Sequence, residues 1–357
     1  MKYLSLQALG WNNFFEQQST DITIPGHEVA RVVSENKTNY GVRAVDREAI
    51  AEITGKLMYG AETESELPKV GEWVVITMMD DDRAMIHEVL KRKTVLSRAA
   101  AGRKTTEQVI AANLDVVFIV QGLDDNFNIA RLERYLTAVR GIEPVIVLNK
   151  ADICTDLHSK LTGLRQRISG VDVIATSTLN HDVEALRLKI RAGNTFAFVG
   201  SSGVGKSSLI NTLLKDDALR VSDVREKDSK GRHTTTRREM IFMENGGILI
   251  DTPGMREFQP WGSDDSVGVA FADILGLATG CRYTDCQHLH EDGCAVRLAI
   301  SEGTVSPSHF ENYLKLRREL DYLASRTDIN LALERKNAAK RMIKTFNKMV
   351  RRKRNED

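Results

Sequence analysis

Apolar positions change their period along this chain, and the changes divide it into three parts. Between residues 30 and 95, short apolar runs at 30–34, 49–54, 73–77 and 84–89 are separated by turn residues, with Gly41, Gly55, Gly60 and the stretch 68–71 as punctuation. Strands this short and this regularly interrupted predict a small β-barrel, and five of them would make an OB-fold. Upstream, residues 1–29 are mixed in pattern and read as an N-terminal extension with Trp11, Phe14 and Phe15 as anchors. Downstream, residues 91–108 are basic and contain Ala, Gly and Thr, so a linker is placed at 96–110.

From residue 111 the pattern turns to strand–helix alternation. Near-continuous apolar runs at 114–120, 144–148, 171–175, 195–199 and 247–250 alternate with helical patterns at 129–140 and 183–190. Strands apolar on both faces predict a mostly parallel sheet with helices on each side, an α/β domain over 111–270. After Gly254 the sheet signal stops. A helical, metal-binding region is expected over 271–357, with helix between 308 and 354 and a buried face at Tyr313, Leu314, Leu316, Leu320, Tyr322 and Leu323. The fold class is therefore multidomain: an OB-fold barrel, an α/β domain and a helical metal module.

Hydrophobic residues at 42% and charged residues at 28% fit an ordinary globular chain. The net charge of +1 hides an asymmetry, because residues 334–357 carry ten Lys/Arg against three acids, a local +7. The remainder is thus −6, and the basic end could bind phosphate backbones. No apolar run is long enough to cross a bilayer and no basic-then-apolar leader is present, so no membrane partner and a cytoplasmic location are expected. A single chain is the expected working unit. Three of the four cysteines cluster, which in a reducing compartment points to metal before disulfides.

Gly200, Ser201, Ser202, Gly203, Val204, Gly205, Lys206 and Ser207 match G-x-x-x-x-G-K-S between a predicted strand and a helical run that opens with Ser208. Such a loop lets backbone N–H groups curl around a phosphate at a helix N-terminus. Lys206 is expected to bridge the β- and γ-phosphates, and Ser207 to give an oxygen to Mg²⁺. Asn149, Lys150, Ala151 and Asp152 follow the strand at 144–148 and read as a guanine-recognition loop. Asp152 can accept from guanine N1–H and its exocyclic amine, a donor pair adenine lacks. The Lys150 stem can lie along the base. Ala175, Thr176 and Ser177, ending the next strand, fit the loop that contacts the guanine oxygen.

Asp251, Thr252, Pro253 and Gly254 end a further strand; Asp251 can hold Mg²⁺ through water and Gly254 can sense the γ-phosphate. Between these motifs, Thr235 is expected to complete the Mg²⁺ shell. Met255 stands where many GTPases keep a water-orienting glutamine, leaving His233 as the candidate that orients or deprotonates water. In ordinary small GTPases the phosphate loop precedes the guanine loop. Here the order is reversed, so the nucleotide domain reads as circularly permuted. Farther on, Cys281, Cys286 and Cys294 with either His288 or His290 can close a tetrahedral Zn²⁺ site that has no open position for catalysis.

The order of these motifs resembles the bacterial ribosome small-subunit-dependent GTPase A family (RsgA) over about residues 30–325. That resemblance implies an N-terminal OB-fold, a permuted GTPase domain and a C-terminal zinc domain. It also implies GTP/GDP with Mg²⁺, and late maturation of the small (30S) ribosomal subunit with subunit-stimulated hydrolysis. The OB and zinc modules would grip rRNA, and hydrolysis would drive release. By motif matching, His288 becomes the fourth zinc ligand, and 149–152 with 200–208 the GTP contacts.

Overall fold

Five strands close the first part into a barrel around small apolar side chains, the last pairing made between the first and fourth. They are β1 Glu28–Glu35, β2 Tyr40–Arg43, β3 Glu48–Ile53, β4 Trp73–Met78 and β5 Arg83–Val89. In β3, exposed Glu48, Ile50 and Glu52 alternate with buried Ala49 and Ala51. The strand order is β1-β2-β3-β5-β4, and β4 pairs back onto β1. With β3–β5 parallel and the other pairs antiparallel, this is the OB arrangement expected from the spacing. Small residues such as Ala30, Ala49, Ala51 and Ala84 fill the narrow interior beside Ile76 and Ile86. The computed structural model describes residues 5–324, apart from 21, 23, 37, 101–105, 181, 216–237, 253–260 and 262–266.

Among the described residues before the barrel, an apolar set packs against the face of β4 that carries Trp73 and Val75. Helix α1 (Asn13–Ser19) starts where the Asn12 side chain accepts the Phe14 amide. Leu9, Trp11 and Phe15 are buried against Trp73, with the Trp11 and Trp73 rings 4.7 Å apart edge to face. Arg31 is buried beneath them and donates to the carbonyls of Leu9, Gly71 and Asn113. Burial lowers its pKa to about 10, which leaves it charged, and three carbonyls share that charge. One buried cation thereby joins the N-terminal segment, the barrel and the next domain.

The expected linker is instead a hairpin, β6 Val95–Ala99 with β7 Glu107–Ala112. Its Ala, Gly and basic content read as coil, but Leu96, Ile110 and Ala111 pack into the core of the following domain. Packing overrides composition here.

The second sheet runs β10-β9-β8-β11-β13-β12. Its parallel strands are β8 Val116–Gly122, β9 Glu143–Asn149, β10 Asp172–Ala175, β11 Thr195–Val199 and β13 Ile248–Asp251. The sixth, β12 (Glu239–Phe242), is antiparallel to β13 and has no counterpart among the expected elements. Strand β8 shows why the run looked uniformly apolar. Val117 and Ile119 face one core, while Val116, Phe118 and Val120 face another.

Helices α3 (Ile129–Leu136) and α4 (Leu157–Arg167) contribute to the first core; α5 (Glu184–Arg187) and α6 (Lys206–Lys215) contribute to the second. The helix expected at 129–140 stops at Leu136, and the one at 183–190 shrinks to α5. A short helix, α2 (Gly55–Gly60), links β3 to β4.

The two sheets share one ladder, because β1 pairs with β12 at Ser34 and Glu239. Beyond β13, helices Ala272–Ala278 and Ala295–Ser301 and a helix over 307–324 pack Phe271, Ile274, Val296, Leu316 and Leu320 into the core that also holds Leu132 and Leu136. The rest of the expected helix, to 354, lies outside the described residues. Among those described, no helix is long and apolar enough to cross a membrane.

Candidate functional site

Every expected nucleotide motif that the structure describes lies at the carboxyl end of the parallel strands. Chains leave β8 at Gly122, β9 at Asn149, β10 at Ala175, β11 at Val199 and β13 at Asp251. Open α/β sheets bind ligands at this edge.

The loop after β11 needs its glycines. Gly200, Gly203 and Gly205 have φ of 147°, 80° and 95°. A Cβ on Gly200 would come within 2.3 Å of the Val120 carbonyl oxygen, and one on Gly205 within 2.2 Å of Asn149 Nδ2. The loop runs into α6 at Lys206, so the amides of its first turn are orphan donors. The Lys206 ammonium folds back to the carbonyls of Gly200 and Ser201, both at 2.7 Å. Burial lowers its pKa by desolvating the ammonium. Ser202, Ser207 and Ser208 are exposed along the same rim, while Val204 is buried beneath it.

Asn149 is fully buried and donates from Nδ2 to the Val204 carbonyl at 2.9 Å. Its Oδ1 has no partner among the described residues, a buried acceptor facing an unfilled requirement. Lys150 follows in the left-handed region, φ 66°, which turns the chain sharply off the strand. The Ala151 amide donates to Thr176, and the Ser177 hydroxyl donates to Asp152 Oδ1 at 2.5 Å. The expected guanine loop and the 175–177 loop are therefore hydrogen-bonded together, and Asn149 ties both to the phosphate loop.

Asp251 ends β13 half-buried, and the Thr252 hydroxyl donates to the Phe198 carbonyl at 3.1 Å, fixing this motif to β11. Thr235, His233, Gly254 and Met255 lie outside the described residues.

Two residues that no motif contains also reach the site. Asp124, in the loop after β8, pairs with Lys150 at 2.6 Å. Arg131, in the first turn of α3, donates to Ser201 Oγ at 3.4 Å. The available signal for Asp124 was its place: an acid just past the end of an apolar strand, as Asp152 is.

In the C-terminal module, the ligand atoms of Cys281, Cys286, His288 and Cys294 all lie within 4.8 Å of one another. His288 Nδ1 is 3.5 Å from Cys281 Sγ and 3.4 Å from Cys294 Sγ, and those sulfurs are 3.9 Å apart. A tetrahedral zinc with bonds of about 2.3 Å to sulfur and about 2.0 Å to nitrogen would place its ligands ~3.5–3.8 Å apart. The donor set and spacing fit that ion. His290 is not in the cluster; its amide is held by the Glu291 carboxylate. Burial, and then the Arg317 guanidinium, lower the His288 pKa and favour the neutral imidazole that ligation needs. Cys294 also caps helix Ala295–Ser301, its sulfur accepting the Arg297 amide.

The RsgA GTPase family profile matches residues 89–261. A protein named small ribosomal subunit biogenesis GTPase RsgA 2, from Lactiplantibacillus plantarum, is 43% identical over 83% of this chain and 84% of its own. The protein of that name without the numeral from Syntrophotalea carbinolica is 36% identical over 99% of each chain. Among solved structures, YjeQ from Thermotoga maritima superposes with a TM-score of 0.64 at 24% identity, covering 82% of this chain and 98% of its own. YloQ, described as a circularly permuted GTPase, gives 0.59 at 22% identity over 83% and 95%. Both structures share the fold described above.

Proposed function

The chain belongs to the RsgA GTPase family, and from that premise we propose that it hydrolyses GTP to GDP and phosphate during late maturation of the small ribosomal subunit. The observation that carries the nucleotide reading is the Asn149–Val204 hydrogen bond. It joins a guanine loop and a phosphate loop that stand in reversed order along the chain, so one pocket holds both ends of the nucleotide.

In this reading Asp152 accepts from the guanine N1–H and amine, and the 175–177 loop faces the guanine oxygen. Lys206 exchanges the carbonyls of Gly200 and Ser201 for β- and γ-phosphate oxygens. The amides of 200–208 surround the phosphates. Ser207 and Thr235, with Asp251 through water, are the residues that would hold Mg²⁺, which supplies charge neutralisation at the β- and γ-oxygens. Gly254 senses the γ-phosphate, and His233 orients the attacking water where Met255 cannot. Cys281, Cys286, His288 and Cys294 hold one structural Zn²⁺. The OB barrel and the zinc module are the surfaces assigned to rRNA, and hydrolysis drives release from the subunit.

Because a thioether cannot position water, turnover by the purified chain should be slow and should rise by about tenfold or more with small subunits. Steady-state phosphate release with and without subunits measures this. Equal rates would remove the ribosome-dependent switch while leaving the GTPase.

A further inference from the structure

The guanine loop is gripped from a side that its own motif does not include. Asp124 Oδ2 accepts from the Lys150 ammonium at 2.6 Å, while its Oδ1 accepts the Asn126 amide at 3.1 Å. Gly122 makes room for this turn, since a Cβ there would come within 2.9 Å of Asp124 Oδ1. The same loop reaches the phosphate side: Arg131 donates both to the Asn126 carbonyl and to Ser201 Oγ, each at 3.4 Å. Asp124 thus lies in a loop that bridges the two nucleotide loops. The other acid of the pocket, Asp152, is held separately by Ser177.

Lysine is a flexible stem carrying a point charge, and an ammonium left in water would let that stem take many courses. With its backbone fixed left-handed at φ 66° and its ammonium fixed on Asp124, Lys150 keeps one course from the end of β9 to the loop after β8. We propose that Asp124 is a positioning residue for nucleobase binding, which holds the Lys150 stem in place as one wall of the guanine slot before nucleotide arrives. The proposal rests on reading 149–152 as the guanine loop. Preorganising that wall lowers the ordering cost paid on binding. The base is common to GTP and GDP, so both should depend on Asp124 equally, whereas a phosphate-side role would separate them.

The experiment uses the full chain with fluorescent GTP and GDP, comparing Asp124→Ala, Asp124→Asn, Lys150→Ala and the Asp124→Ala/Lys150→Ala double variant. Asp152→Asn, probed with guanine and xanthine nucleotides, controls for the loop assignment. Asp124→Ala should weaken GTP and GDP alike by about tenfold through faster dissociation, as expected for losing one charge-assisted bond. KM should rise and kcat should hold. The near-isosteric Asp124→Asn should show the same loss while unfolding at the parent temperature, and the double variant should be no worse than Lys150→Ala. Additive losses, affinities within twofold of the parent, or a fall in kcat without a rise in KM would overturn the proposal. If Asp152→Asn fails to shift preference from guanine to xanthine, the guanine-loop reading itself falls.

Discussion

Asn149 does more than its place in a four-residue motif suggests. Fully buried, it spends its amide N–H on the Val204 carbonyl and keeps Oδ1 without a partner among the described residues. Gly205 sits against that amide, with φ 95° and room for no Cβ. Gly205→Ala should therefore cost about 1–3 kcal/mol in urea unfolding and abolish measurable nucleotide binding. Loss of binding without loss of stability would mean that the loop yields without disturbing Asn149. The glycine positions were legible in the sequence because left-handed turns need glycine, whereas the Asn149–Val204 contact was not, since no local pattern reports it. Asp124 and Arg131 were not, because no local pattern says that the loop after β8 touches Lys150 and Ser201.

At the scale of elements, α3 is the informative one. Its periodicity marks a helix with a buried face, yet the residue that docks it is a carboxylate. Glu133 is fully buried on α3 and accepts from Arg167 at the end of α4 and from Asn312 on the helix over 307–324. His309 stands between Glu133 Oε1 at 2.7 Å and Asp273 Oδ1 at 3.1 Å. Arg134 adds a two-pronged pair with Glu319 at 2.6 and 3.0 Å. Removing Glu133 strands these partners, so Glu133→Ala should destabilise by about 3–5 kcal/mol in denaturant unfolding and loosen the C-terminal helices.

The network also predicts a pH dependence. Burial opposes a charge on His309, but the hydrogen bonds to Asp273 and Glu133 outweigh it and raise the pKa above 6.5. A raised folded pKa means that the stabilisation is complete below the unfolded value near 6.5 and is lost as pH climbs through the folded one. Protease resistance of the C-terminal helices should accordingly fall as pH rises beyond 6.5, and His309→Gln should flatten the change. A parent profile already flat across that range would contradict the assignment.

At the scale of the molecule, two seams besides the Arg31 contacts tie the nucleotide domain to its neighbours among the described residues. β12 pairs with β1 of the barrel at Ser34 and Glu239, beside Arg238, which donates to the Val109 carbonyl and lies 3.7 Å from Glu35. The α3 network makes the second seam. The Cys/His cluster draws together the two ends of the segment 281–294 in the C-terminal module. Strong chelation should therefore lower the melting temperature of that module while leaving fluorescent GDP binding in place. One zinc per chain by elemental analysis is the accompanying expectation, and a melt indifferent to chelator would argue against a structural metal.

What the sequence by itself determined is whatever depends on neighbours within a few residues. That covers the alternation in β3, the doubly apolar β8, the glycines that alone tolerate left-handed turns, and the donor types of 281–294. For the same reason it made the reversed order of the nucleotide motifs visible. Tertiary structure decided what depends on encounters between distant segments. Only folding shows that 95–99 pairs with 107–112, that Leu9, Trp11 and Phe15 pack on the barrel at Trp73, and that His309 meets Glu133 across 176 positions. Burial and hydrogen bonding are properties of the assembled neighbourhood. Asp124 is therefore found only in space, 26 positions away from the lysine it pairs with.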